Sequence, residues 1–255
     1  MDGLEAFHHN WTGLFELLPN YYASARFWQE DGIAMAATGL PLSAFNGAFL
    51  LDEVNLTPDQ LGQLSRLFAE AGIPFSVQVC SRQVIPACDA LLRTHGYSDI
   101  FVDPVMIREG KLPVMALNPA VSVRPVRADV ERDQFRRIVA RGFNLPPTVT
   151  PDFFDMLLNI GEARQMIARM NGDWVGSGML LYARGVAAIY NVTTLPAYRR
   201  QGISTALMVA LHDQALADGY DATVLASSEM GLSLYQHLGY RRVGYQSGYA
   251  VVETL

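Results

Sequence analysis

LPAYRRQGISTAL, residues 195–207, stands between the run VAAIYNVTT (186–194) and a segment whose apolar residues recur at Ile203, Ala206, Leu207, Ala210 and Leu211. The first run has the composition of a strand, and the second places its apolar side chains on one helical face, so a strand becomes a helix near Gly202. Two adjacent arginines, Arg199 and Arg200, fill this turn in a chain that is only 17% charged. A helix N-terminus leaves about four backbone N–H groups unpaired and carries roughly half a positive charge. Gly202 lets a ligand's oxygens approach the main chain, the arginines add fixed charge, and Ser204 and Thr205 offer hydroxyl donors. Such a turn suits a diphosphate. It is not a nucleotide P-loop, because no G-x-x-x-x-G-K-[ST] is present, and the dinucleotide fingerprint G-x-G-x-x-G is missing as well.

Upstream of this turn the pattern continues in both secondary-structure types. Residues 121–127 read as a short strand and 129–143 as a helix. The proline-rich NLPPTVT follows, then a second helix capped by Thr150 with Pro151 in its first turn. ARQMIARM and WVGSGMLLYA flank Asn171-Gly172, a type I′ hairpin signal, and Arg184-Gly185 reverses the chain again. Three consecutive strands form an antiparallel meander. Downstream, Gly219 ends the helix that began at Ile203, ATVLAS reads as a buried strand, and MGLSLYQHLGY as a short helix closed by Gly239. RRVGY and GYAVV read as two closing strands. The whole is an α+β three-layer arrangement.

With these elements in place, the sequence resembles the GNAT superfamily of N-acetyltransferases. Their signature [QR]-x-x-G-x-[GA] stands here as Arg199-Arg200-Gln201-Gly202-Ile203-Ser204, with Ser204 in place of Gly or Ala. A second family pattern, N-x-x-A-x-x-L-Y-x-x-L-G-[FY], is matched by SSEMGLSLYQHLGY, with Ser228 for Asn and Gly231 for Ala. The resemblance is close from Val121 onward and weak before it. It implies a mixed, mostly antiparallel sheet flanked by helices. It also implies acetyl-CoA as cosubstrate without a metal, and direct acetyl transfer to a primary amine. Under this reading Arg199, Arg200, Gln201, Gly202, Ile203, Ser204 and Thr205 bind the coenzyme diphosphate, and Ser228 also contacts the coenzyme. Backbone groups of Val192, Thr193 and Thr194 pair with the pantetheine arm where their strand splays from ATVLAS, and Tyr235 protonates the departing thiolate. Many members carry a Glu on the strand that here reads Ile189-Tyr190-Asn191, and none is present, so no base is assigned. Asn191 or Tyr190 would hold a relaying water, Glu229 would charge the next helix, and His212 is read as non-catalytic. Phe143, Phe153 and Phe154 are candidates for the acceptor groove, with core packing expected of at least two of them. The same scaffold without turnover, as an acyl-CoA-binding sensor or interaction module, is the alternative.

The first half carries a weaker version of the second. LSRLFAEAGIPFSVQV parallels LMVALHDQALADGYDATVLA, and His95-Gly96-Tyr97 lies over Leu238-Gly239-Tyr240. This predicts an internal duplication. Pro and Gly cluster over 108–123, which places the domains at 1–117, degenerate, and 118–255, catalytic. In the first half Leu92 falls where Tyr235 stands. Thr57, Pro58 and Gln60 close the helix start with a capping box that occupies the amides a diphosphate would need.

Composition sets the outer bounds. Of 255 residues, 50% are hydrophobic, and 19 Lys plus Arg stand against 25 Asp plus Glu for a net charge of −6. That balance excludes a general nucleic-acid or acidic-membrane binder. The N-terminus lacks a signal-peptide pattern, and no apolar run approaches the ~20 residues of a membrane span. Only Cys80 and Cys88 are present, too few for a disulfide framework, so a cytoplasmic location is expected. His8–His9 reads as part of a solvated terminus, and neither the acceptor nor a homodimer is specified by any motif.

Overall fold

The computed structural model describes residues 1–52, 54–145 and 151–251. The chain divides into two compact units: the first comprises Met1–Met106, Ala226–Met230 and the residues from Arg242 on, the second Ile107–Leu225 and Gly231–Arg241. This differs from the division at 117/118 read from the sequence. The compact boundary falls earlier, inside a strand, and the C-terminal strand belongs with the first unit.

The first unit begins with helix α1 (Gly3–Leu17), followed by strands β1 (Arg26–Glu30), β2 (Ile33–Ala37) and β3 (Gly47–Leu51). Helix α2 (Pro58–Ala71), β4 (Ser76–Ser81), the short α3 (Asp89–Thr94) and the long β5 (Tyr97–Glu109) follow. Both terminal histidines lie inside α1: His8 is buried, not solvated as expected, whereas His9 is exposed. β1, β2 and β3 form an antiparallel meander, and β3 pairs parallel with β4 over five residues, Gly47–Leu51 against Ser76–Cys80. Leu61, Leu64 and Phe68 of α2 pack with Val77, Val79 and Leu92 into an apolar core.

The second unit repeats the plan. β6 (Val121–Pro125) leads to α4 (Asp129–Gly142) and α5 (Pro151–Asn159), then β7 (Ala163–Met170), β8 (Asp173–Ala183) and β9 (Val186–Thr194). α6 (Ile203–Ala217), β10 (Ala222–Ala226), α7 (Glu229–His237) and β11 (Arg241–Val251) complete the chain. The expected Thr150 cap lies outside the described residues. Both predicted hairpins form: Asn171 and Gly172 have φ of 52° and 96°, Arg184 and Gly185 48° and 75°, as type I′ turns require.

The order β1-β2-β3-α2-β4-α3-β5 recurs as β7-β8-β9-α6-β10-α7-β11, with a parallel pair after each meander. Gly96 and Gly239 share the left-handed conformation at φ 83° and 81°, and the tyrosine after each is buried. RRVGY and GYAVV are one continuous strand, β11, not two. It pairs antiparallel with β4, Tyr245–Tyr249 against Ser81–Val77, so the last strand of the second repeat completes the first unit. The architecture is α+β, a mixed and mostly antiparallel sheet flanked by helices. Among the described residues no helix is long and apolar enough to cross a membrane.

Candidate functional site

The site residues of the second unit hang on β9 and α6, and two glycines set how close these elements come. A Cβ at Gly176 of β8 would stand 2.8 Å from Ile203 Cγ2, and one at Gly178 2.6 Å from Leu211 Cδ1. Only glycine lets α6 settle this tightly on the sheet. Ile203 and Leu207 at the start of α6 are buried, which fixes the position of the helix N-terminus.

β9 carries a bulge. Ser177 pairs with Thr193 but Met179 pairs with Tyr190, so Asn191 and Val192 together oppose Gly178. Asn191 takes φ 55°, a left-handed conformation that asparagine tolerates better than most residues, and its carbonyl accepts a bond from Ser177 Oγ at 3.3 Å. The parallel pairing of β9 with β10 is a single register pair, Ala188 with Val224. Beyond it no register pair joins β10 to Asn191–Thr194 among the described residues. In the first unit the equivalent strands β3 and β4 stay paired along their length.

Past Thr194 the chain makes a 3-10 turn, Pro196–Tyr198, before the arginines. Arg199 is extended, and its Nε donates to the Thr194 carbonyl at 3.3 Å. Arg200 has φ 64° and Gly202 φ 80°, so the main chain coils tightly into α6. Gly202 is the N-cap and no side chain caps the helix; α2, by contrast, is closed by Thr57 Oγ1 accepting the Gln60 N–H at 3.3 Å and Gln60 Oε1 accepting the Thr57 N–H at 2.9 Å. Ser204 Oγ lies 2.9 Å from Thr194 Oγ1, joining the strand end to the first helical turn. Among the described residues no carboxylate pairs with Arg199 or Arg200. Uncapped amides beside two guanidinium groups that no carboxylate neutralises suit an anion.

Tyr235, on α7 of the same unit, is 8% exposed. Burial pushes its phenol up to about 12. Its ring lies over Gly231, where a Cβ would come within 2.8 Å of Cε2. Its hydroxyl has no hydrogen-bond partner among the described residues. Ser228 is exposed, immediately before α7; the structure brings 192–194 and 199–205 together within the second unit, which also holds Tyr235. Sequence reading did not find the bulge; its signal is an asparagine within an otherwise β-forming run. Phe153 and Phe154 are buried against each other at 5.2 Å, while Phe143 is exposed. Among the described residues no group of His, Cys, Asp and Glu has the arrangement of a metal site.

His212 of α6 is a buried structural residue. One ring nitrogen lies 2.7 Å from the Gly110 carbonyl and the other 2.8 Å from Thr223 Oγ1, which in turn meets Tyr240 Oη at 2.6 Å. Burial is the largest influence on its imidazole and lowers it from the ordinary histidine value; the Gly110 carbonyl and Asp213 act upward and Arg108 downward. The unfolded chain therefore binds a proton there more readily. Stability is full above about pH 6.5 and falls below it, by at most about 1.4 kcal/mol per pH unit for this one group. Asp103, whose carboxyl burial pushes up to about 6, titrates in an overlapping window with the opposite sign. The check is consequently a difference: between pH 7 and 5, urea unfolding of His212→Gln should show a shallower loss of stability than wild type. Equal slopes would contradict the assignment.

Against known proteins, residues 132–240 match the family model described as acetyltransferase (GNAT) family. No curated protein matches the chain. Among solved structures, a GCN5-related N-acetyltransferase from Kribbella flavida superposes with a TM-score of 0.71 at 18% identity, over 94% of this chain and 93% of that one. A GCN5-related N-acetyltransferase from Sphaerobacter thermophilus gives 0.62 at 15% identity, over 88% and 82%. A tandem GNAT protein from the clavulanic acid biosynthesis pathway gives 0.60 at 11% identity, over 99% and 95%. These likenesses show that the fold is the GNAT fold, present in a chain-long match to a tandem protein.

Proposed function

From the membership of residues 132–240 in the GNAT acetyltransferase family, we propose that the chain moves the acetyl group of acetyl-CoA directly to a primary amine, in the cytoplasm, with one coenzyme site per chain. Acyl transfer in general follows from the family; the amine, the donor and the residue roles are our reading. The observation that carries it is the uncapped N-terminus of α6 directly after two arginines that have no carboxylate partner among the described residues.

Bound acetyl-CoA would supply the activated acyl group. Arg199 and Arg200 hold its diphosphate with the amides of Gly202–Thr205, and Ser204 and Thr205 add hydroxyl donors. The backbone of Val192–Thr194, beside the bulge and with no β10 register pair among the described residues, pairs with the pantetheine arm, and an N–H of that strand steadies the developing charge on the thioester oxygen. The amine nitrogen attacks the thioester carbon, the carbon–sulfur bond breaks, and Tyr235 gives its proton to the sulfur. A phenol raised by burial stays protonated at neutral pH, as a donor must. The amine's own proton leaves through water held at Asn191 or Tyr190.

The first unit is proposed to be a degenerate copy that binds no coenzyme. Its β3 and β4 do not part, its α2 amides are occupied, and the position of Tyr235 is taken by Leu92, which is fully buried in its core. A coenzyme-binding sensor is the second reading, favoured by the lack of a carboxylate on β9. Thiol release from acetyl-CoA across amino acids, polyamines, aminoglycosides and peptides separates the two. Amine-dependent release is expected. Tight coenzyme binding with no release for any class would overturn the transferase reading, and release only with added alcohols would overturn the amine acceptor.

A further inference from the structure

We infer that Asn118, in the segment that precedes β6, is a positioning residue for the diphosphate cradle, an inference that rests on the coenzyme site proposed above. Asn118 Nδ2 donates to the Gln201 carbonyl at 3.0 Å. That carbonyl belongs to the Gln201–Gly202 peptide. The C=O and N–H of a trans peptide point in opposite directions within one plane, so holding the oxygen on the Asn118 side turns the Gly202 N–H away from it. That N–H is the first of the amides at the α6 N-terminus, and its direction decides whether it joins its neighbours at an anion.

The asparagine is itself held. Its Oδ1 accepts the Ala120 N–H at 3.0 Å, and its main-chain oxygen accepts the Val121 N–H at 3.0 Å. With Oδ1 engaged, the amide has one orientation, and Nδ2 is aimed at Gln201. A Cβ at Gly202 would lie 3.6 Å from Asn118 Cβ, so the two backbones are in ordinary contact here. Gln201 and Gly202 are otherwise exposed, and Arg200 and Gly202 both hold left-handed angles. A tight, exposed turn of this kind gains most from an external anchor. The Asn-Pro pair that reads as a linker in sequence thus orients the ligand-facing amide.

The test uses two variants of the full chain, with coenzyme A as the probe. Asn118→Asp keeps the oxygen that accepts from Ala120 but sets a second oxygen against the Gln201 carbonyl. Asn118→Ala removes the donor without adding charge. Calorimetric affinity for coenzyme A should weaken about 5- to 20-fold in both, with the ligand-free melting temperature within about 3 °C of wild type. Asn118→Ala separates loss of the anchor from charge repulsion and should not retain wild-type affinity. Unchanged affinity in both variants, while Arg200→Glu weakens it, would overturn the role of Asn118 alone. A large fall in melting temperature would assign Asn118 to folding and overturn it too. Unchanged affinity in Arg200→Glu as well would instead overturn the cradle.

Discussion

Tyr235→Phe is expected to lower kcat about 10²- to 10⁴-fold, the range typical of a lost general acid, while coenzyme affinity changes little. The ring is buried against Gly231 and 6.0 Å from the Tyr240 ring, contacts that phenylalanine keeps. The hydroxyl has no protein partner among the described residues, so its removal leaves no donor or acceptor stranded and stability should hold. The effect then falls on proton delivery to the sulfur. Steady-state rates with a competent amine, beside a melting curve for each protein, check this. Wild-type kcat in the variant would make Tyr235 a packing residue and place the acid elsewhere.

Arg200→Glu should weaken acetyl-CoA binding about 5- to 150-fold, which corresponds to about 1–3 kcal/mol for a lost charge-assisted contact turned repulsive. Arg200 is exposed, lies in the turn before α6 and has no carboxylate partner among the described residues. The fold therefore does not depend on its charge, and a loss of affinity reads the ligand alone. The wild-type affinity should also fall with added salt, as charge contacts at an exposed site are screened. Unchanged affinity by calorimetry would remove the arginines from the site.

Much of this was legible in the sequence because local chemistry set it. Asn171-Gly172 and Arg184-Gly185 can hardly do other than turn, and Thr57 with Gln60 closes α2 as the capping rule requires. The strand-to-helix turn at Gly202 carried the fold family, and it is where the proposed cradle lies. The placement of β11 beside β4 in the first unit was not legible. β5 and β11 hold equivalent places in the two repeats, and strand pairing is settled by side-chain packing across the sheet rather than by local preference. Here β11 is tied to β4 by a buried bond of 2.9 Å from Gln246 Nε2 to Gln78 Oε1. The same residues explain the split of β11 into two expected strands. Gln246-Ser247-Gly248 has a turn's composition, yet all three lie inside the strand, with Gly248 leaving room for the Phe101 ring. The bulge at Asn191 and the anchor at Asn118 depend on partners far along the chain, Ser177 and Gln201, and so escaped a reading by spacing.

Calorimetric titration of the intact chain with acetyl-CoA puts the single site to the test. One coenzyme per chain, with affinity reduced by Arg200→Glu and untouched by Gln60→Ala at the α2 cap, is the expected outcome. A stoichiometry near two, or no binding by the wild-type chain, would contradict the assignment of the coenzyme to the cradle of the second unit.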